Sequence, residues 1–160
     1  MIANHLITLR VQNHVGTLNR LVSMFRRRSY SIASLTAGDC EEEGCSRLTL
    51  VVGGEGEVVD QCVRQMAKLI DVLEVEHVQP HAAVQRELAL IQVSADPGHR
   101  REVLDVAAAM GAQVMHLSPE SLTLSLSDMP ARIDSLIALL KPYGVLQIAR
   151  SGLVALKTEN

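Results

Sequence analysis

The sequence predicts an α+β fold built as two tandem ferredoxin-like βαββαβ domains, and three observations lead there. Period-two and helical apolar patterns follow one another in the order strand, helix, strand, strand, helix, strand. The same order then appears a second time. Between the two runs, Gln79-Pro80-His81-Ala82-Ala83 breaks the periodicity. Residues 1–78 are therefore assigned to a first domain, 79–84 to a linker and 85–160 to a second domain.

The first strand spans 4–12, where Ile7, Leu9 and Val11 alternate with Thr8, Arg10 and Gln12. A helix over 16–28 follows, with Leu18, Leu21, Val22 and Phe25 at helical spacing and Arg26-Arg27-Arg28 placing cations at its C-terminal end. Strands over 30–39 and 46–53 meet across the polar segment 39–44 as a hairpin. Val59, Val63, Met66 and Ile70 draw a helix over 57–69, its apolar stripe widened by Val58, Cys62 and Leu69. A strand over 71–78 closes the first set. Beyond the linker come a strand over 85–94 and a helix opened by Asp96-Pro97. Strands over 112–117 and 121–127 follow, the latter alternating at Leu122, Leu124 and Leu126. The last helix is opened by Asp128 and Pro130 and carries Ile133, Leu136, Ile137 and Leu140, and a strand over 144–150 ends the set. Each half is small enough that one core is only marginally stabilising, and a sheet covered by helices on one side leaves an open face and long edges. Partner surface is expected.

Composition narrows the function classes. Phe25, Tyr30 and Tyr143 are the only aromatic residues of the three large types, so the core must be aliphatic. An RNA-recognition sheet stacks bases on aromatic rings, and the strands here offer Ile7, Leu9, Leu48 and Leu50 instead. With a net charge of −3, no nucleic-acid partner is expected. No stretch approaches the ~20 apolar residues that span a bilayer, and the chain starts directly on a strand pattern, so a cytoplasmic location is expected. Cys40, Cys45 and Cys62 show no paired C-x-x-C spacing and read as reduced thiols, Cys62 on an apolar helix face. His5, His14, His77, His81, His99 and His116 are scattered, with none beside another at ligand spacing. The stretch Gly53-Gly54-Glu55-Gly56 lacks the lysine of a phosphate loop. No catalytic residue and no metal ligand is assigned.

The most informative stretch runs from Val11 to Leu21, where a strand turns straight into a helix with a single glycine, Gly16, and no proline. Free N–H groups at that helix start, beside the Asn13 side-chain amide, form a site suited to the carboxylate of a small zwitterion. A plain turn, with Asn13 and Gly16 serving only the chain reversal, accounts for the same residues.

Asn13-x-x-Gly16-x-Leu18-x-Arg20 is followed by Leu21-x-x-x-Phe25 and by Arg28-Ser29-Tyr30-Ser31-Ile32-Ala33-Ser34-Leu35-Thr36. Ser46-Arg47-Leu48-Thr49, the run from Gln65 to Val72, Arg86-Glu87-Leu88-Ala89-Leu90-Ile91 and Ala149-Arg150-Ser151-Gly152 come after them. In these motifs, their order and their spacing, the chain resembles the small regulatory subunits of acetolactate synthase (acetohydroxyacid synthase), and the likeness spans almost its whole length. The resemblance implies an N-terminal ACT domain, a C-terminal ACT-like domain, and a homodimer formed through the ACT domain with effector pockets at its seam. It implies effector-binding residues Asn13, His14, Val15, Gly16, Thr17, Leu18, Ser31 and Ile32. It further implies association with the catalytic large subunit, which carries thiamine diphosphate, magnesium and FAD while this chain binds no cofactor. The expected role is activation of that subunit and its feedback control by a branched-chain amino acid, valine first, in valine, leucine and isoleucine biosynthesis. A free-standing ACT-domain amino-acid sensor acting on another partner is the alternative. Two positions depart from the family pattern R-G-Y-N-I-E-S: Ser29 replaces a glycine, and Ser31 offers one hydroxyl where the family's asparagine faces the effector. The hydrogen bonds at stake contribute about 0.5–1.5 kcal/mol each.

Overall fold

The computed structural model describes residues 3–158. These fall into two compact units, one running through Gln85 and resuming at Leu153, the other Arg86–Gly152.

The first unit contains β1 (Ala3–Gln12), α1 (Thr17–Arg28), β2 (Ser31–Asp39), β3 (Cys45–Gly54), α2 (Gly56–Met66) and β4 (Val72–Val78). The strands form one sheet in the order β2-β3-β1-β4, and each neighbouring pair is antiparallel. This is the expected βαββαβ order. Alternation along the strands puts Ile7, Leu9 and Val11 on the face shared with Leu48, Leu50 and Val52, against Leu21, Met24 and Phe25 of α1 and Val59, Cys62 and Met66 of α2. Fully burying one such aliphatic side chain contributes about 1.5–3 kcal/mol, so the two helical stripes and the strand alternation lock one register. Phe25 meets Tyr30 edge to face, with ring centroids 5.9 Å apart, the one aromatic pair of this aliphatic core.

Several boundaries differ from the sequence expectation, β5 starting at Ala83 inside the expected linker and β8 running on to Lys157, and two of the differences change how the chain packs. Helix α2 stops at Met66, not 69, and Ile70, expected on its apolar stripe, is 86% exposed in the turn before β4. The chain leaves the helix there to bring Asp71 beside β1, where its carbonyl accepts the Gln12 N–H at 2.8 Å. The other difference is at the C-terminus. Residues from Leu153 onward, expected with the 85–160 domain, pack on the first unit. Leu6, Val51 and Val78 make an apolar patch on the helix-free face of the first sheet, and Leu153 and Ala155 cover it. Thr36 Oγ1 donates to the Leu153 carbonyl at 2.7 Å, and the Ala155 N–H donates to Thr49 Oγ1 at 3.3 Å.

Ile7, Leu9, Leu48 and Leu50 face the helices and are buried, so they are not the residues that decide the RNA question. The helix-free face carries Thr8 and Arg10 of β1 opposite Thr49 and Arg47 of β3. Those positions offer no aromatic ring either.

The second unit is built from β5 (Ala83–Ser94), α3 (Arg100–Met110), β6 (Gln113–Leu117), β7 (Ser121–Asp128), α4 (Pro130–Leu140) and β8 (Val145–Lys157), the start of β5 and the end of β8 lying in the first unit. Its sheet order is β6-β7-β5-β8. Ala89, Ile91, Val93, Leu122, Leu124 and Leu126 face Val103 and Ala107 of α3 and Ile133, Leu136 and Leu140 of α4. Asp96 accepts the N–H groups of Gly98 and His99, so the Asp-Pro signal forms a turn ahead of α3 and the helix starts at Arg100. Pro130 is the first residue of α4, as expected. Arg150 grips the buried carboxylate of Glu87 with two parallel bonds, at 3.0 and 2.7 Å, and reaches Asp134 of α4 at 2.6 Å. Ser151 Oγ accepts the Leu88 N–H at 3.0 Å. The Arg150-Ser151 motif thus clasps β8 to β5. Val145 packs with the core, so alternation turns Leu146 and Ile148 to the helix-free face, where Leu88 and Leu90 of β5 also point. Among the described residues, no helix is long and apolar enough to cross a membrane.

Ser29 ends α1 in the left-handed region, φ 56° and ψ 32°, a conformation that costs a residue with a Cβ roughly 1–2 kcal/mol relative to glycine. The S29G variant is therefore expected to be more stable by about 1 kcal/mol, seen as a higher urea midpoint with an unchanged slope.

Candidate functional site

The site forms where β1 ends and α1 begins. Gly16 caps the helix with φ 88° and ψ −1°, and a Cβ added there would lie 3.3 Å from Arg20 Nη1. The positive φ favours glycine, and a Cβ would in addition press lightly on the end of the Arg20 side chain. The loop holds itself in place through backbone bonds: Asn13 N–H to the Gly44 carbonyl at 2.8 Å, His14 N–H to that of Gln12 at 3.0 Å, and Thr17 N–H to that of His14 at 3.1 Å. Thr17 Oγ1 also donates to the Gln12 carbonyl, at 3.0 Å. Thr17 N–H is therefore committed to the turn. The N–H groups of Val15, Gly16, Leu18 and Asn19 have no protein acceptor among the described residues, which is the set of free donors that a helix start presents.

Three of these four residues, Gly16, Leu18 and Asn19, help line a cavity of about 400 Å³, bordered by Val11, Asn13, His14 and Thr17 on the same side and by Ala37, Gly38, Asp39, Ser46 and Leu48 of β2 and β3 on the other. Its walls combine aliphatic side chains with the Asn13 amide and the Asp39 carboxylate, complementary to a small molecule carrying an anion, a cation and an apolar group. Of the expected site residues, Asn13, His14, Gly16, Thr17 and Leu18 meet here. Val15 stands fully exposed at the loop tip. Ser31 and Ile32 lie at the far end of β2, paired with Gly53 and Val52, and do not line the cavity within one chain. Ala37, Gly38, Asp39 and Ser46 were missed. The hairpin register, Gly38 opposite Arg47 and Asp39 opposite Ser46, is the signal that brings them to the loop.

Asp71 braces the loop from behind. Its carboxylate, 5% exposed as a residue, accepts from Arg20 Nε at 2.6 Å and lies 3.3 Å from His14 Nδ1. Burial pushes the Asp71 carboxyl up, and the hydrogen bonds and charges of Arg20 and His14 outweigh it, holding the group below the usual carboxylate range. Sequence spacing gives no sign of this partnership, since Asp71 is contributed from the far end of the unit. The Cys62 thiol, fully enclosed, is pushed up to about 12 by burial and is no nucleophile. Among the described residues, no group of three or more histidine, cysteine or acidic side chains is placed to hold a metal.

Tandem βαββαβ units with a glycine-capped loop and a cavity at the first strand–helix junction define an ACT-type regulatory protein. Residues 7–74 match the model of the AHAS small subunit-like ACT domain, and residues 86–159 match that of the small subunit of acetolactate synthase. The chain is 43% identical over 151 residues to the acetolactate synthase small subunit of Bacillus subtilis, covering 94% of this chain and 88% of that one. It is 37% identical over 152 residues to the small subunit of Mycobacterium bovis, covering 95% and 90%. The crystal structure of the acetolactate synthase small subunit from Thermotoga maritima superimposes with a TM-score of 0.92 at 30% identity, covering 99% of both chains. The chain belongs to the acetolactate synthase small-subunit family.

Two outcomes test the site. Gly16→Ala is expected to cost about 1–2 kcal/mol of stability, because it forces a Cβ into the left-handed region, measurable by urea denaturation. The folded Asp71 carboxyl titrates below its unfolded value, so its contribution is complete above that value, about pH 3.9, and is lost as pH falls through the folded value. Amide exchange at the hydrogen-bonded positions Asn13, His14 and Thr17 is expected to stay slow from pH 7 to 5, after correction for intrinsic rates, and to accelerate below about pH 4. Asp71→Asn is expected to remove that acid-side change.

Proposed function

We propose that this chain is the regulatory subunit of acetolactate synthase, working in the cytoplasm without a catalytic centre of its own. It binds and activates the thiamine-diphosphate-dependent catalytic subunit, which also carries magnesium and FAD, and places it under feedback control by a branched-chain amino acid, valine first. The observation that carries this reading is the cavity at the β1–α1 junction, with free N–H groups on one wall and Leu18, Leu48 and Val11 on another. The effector's carboxylate takes the N–H groups of Val15, Gly16 and Leu18. Its ammonium takes the Asn13 side-chain oxygen and the carbonyls around it, and its branched side chain packs on the aliphatic wall.

A homodimer through the first unit completes the site. Val15, Leu18 and Val22 expose an apolar stripe along the loop and α1, 100%, 45% and 47% exposed respectively. Strand β2 is an edge of its sheet with unpaired backbone groups. Pairing two such edges covers both, and brings Ser31 and Ile32 of one copy toward the loop of the other. An effector bound across that seam favours one arrangement of the pair over another, and this difference in affinity is what reaches the catalytic subunit. The second unit supplies docking surface for that subunit, supported by the exposed apolar residues Leu88, Leu90, Leu146 and Ile148 on its helix-free face.

Calorimetric titration with valine, leucine and isoleucine is expected to show binding to the wild type and loss of it in Gly16→Ala. Ser31→Asn is expected to tighten valine several-fold, on the order of one hydrogen bond. Added to the catalytic subunit, the chain is expected to raise acetolactate formation and make it valine-sensitive. Silent titrations with all three amino acids, together with an unchanged catalytic rate, overturn the reading.

A further inference from the structure

His5 and His77 lie 72 residues apart in sequence and touch in the fold. Both point to the helix side of the first sheet. His5 shares that face of β1 with Ile7, and His77 is the register partner of Ile7 on β4, so the two histidines are diagonal neighbours on adjacent strands. His5 Nδ1 lies 3.1 Å from His77 Nε2. Each ring's other nitrogen faces an oxygen: the Gly54 carbonyl is 3.2 Å from His5 Nε2, and Asp60 Oδ1 of α2 lies at ion-pair distance, 3.4 Å, from His77 Nδ1.

With both rings neutral, the proton count of this chain of contacts does not close. Two neutral imidazoles carry one N–H each. Three contacts in the row, Gly54 to His5, His5 to His77, and His77 to Asp60, each need a proton between their atoms. One contact is always short. When the outer nitrogens serve the carbonyl and the carboxylate, His5 Nδ1 and His77 Nε2 face each other as two lone pairs, and either a third proton or a metal ion held between them relieves the arrangement.

We propose that His5 and His77 form a binding site for a divalent transition-metal ion of the zinc, copper or nickel class. Imidazole nitrogens bind zinc at about 2.0–2.1 Å, and two such bonds spanning the observed separation subtend about 100°, between the octahedral and tetrahedral angles. The outer contacts are those of metal-bound histidines, whose second N–H typically goes to a carboxylate or a backbone carbonyl that fixes ring and tautomer. Asp60 adds a negative charge that partly offsets the ion's. Imidazole ligands select this class over magnesium or calcium, which prefer oxygen. Among the described residues, no further side chain completes a set of three, so water fills the remaining positions and the site is an open, exchangeable one. The His77 side chain is 23% exposed, which leaves the ion a path from solvent. Such an ion ties the start of β1 to the end of β4 and to α2.

The test is titration of the chelator-treated, full-length chain with zinc chloride at pH 7.5, followed by calorimetry. One ion per chain is expected to bind. His5→Gln and His77→Gln are each expected to abolish that event, Asp60→Asn to weaken it about tenfold or more, and His81→Gln and His116→Gln to leave it unchanged. Copper(II) added to the wild type at substoichiometric levels is expected to broaden the ring signals of His5 and His77 first in the NMR spectrum, a readout that needs no variant to fold. Absence of zinc binding up to millimolar concentration, undiminished affinity in the His5 and His77 variants, or broadening that starts at other histidines would overturn the proposal.

Discussion

A buried carboxylate needs partners, and in the first unit Asp71 finds them at the junction of β1 and α1 where the cavity forms. Its side chain engages Arg20 and His14, and its backbone carbonyl takes the N–H of Gln12. The elements on the loop side of the cavity are each attached through one of those three residues. Gln12 ends β1, His14 sits in the loop, and Arg20 stands one turn into α1. The guanidinium that Asp71 orients also lies close to Gly16, 3.3 Å from where a Cβ would stand. The loop's other polar groups are committed behind it, while the N–H groups of Val15, Gly16, Leu18 and Asn19 are left without a protein acceptor among the described residues. A helix start alone offers donors; a helix start tied down on its inner side offers them in fixed positions, which lowers the ordering cost of binding.

The second unit handles a similar burial problem with a different pair. Glu87 on β5 is enclosed, and Arg150 on β8 meets it with the two-point geometry that suits guanidinium and carboxylate, extending a third bond to α4. In the sequence, Arg150 stands only as part of the Ala149-Arg150-Ser151-Gly152 motif. The fold makes it a clasp. Its neighbour Ser151 replaces a backbone partner at the same edge, so the Ala149-Arg150-Ser151-Gly152 motif has a structural account in this unit.

Element types and order were legible because each apolar pattern matched the period of its own secondary structure, and local signals agreed with it. Leu122, Leu124 and Leu126 alternate and are buried; Ile133, Leu136 and Leu140 recur at helical spacing and are buried; Pro130 opens its helix. Where a pattern was extended by propensity alone it failed. Ile70 continues the helical spacing of α2 but lies in a turn, because the contact between Asp71 and Gln12 pulls the chain away. The C-terminal segment showed the opposite difficulty. Leu153 and Ala155 alternate with Val154 and Leu156, yet alternation states only that one face is apolar, not which sheet that face meets. It meets Leu6 and Val78.

By itself the sequence determined the fold class, the position of the strand-to-helix junction, the glycine it turns on and the family to which the motifs belong. These are properties of neighbouring residues, set by backbone sterics, side-chain period and the order of motifs along the chain. Only the tertiary structure decided which distant groups become partners: Asp71 with Arg20, Glu87 with Arg150, His5 with His77, and the β2–β3 hairpin with the loop. Each pairing joins residues whose separation in sequence carries no periodic signal, since strand register and helix docking, fixed by burial of the whole core, bring them within hydrogen-bond reach.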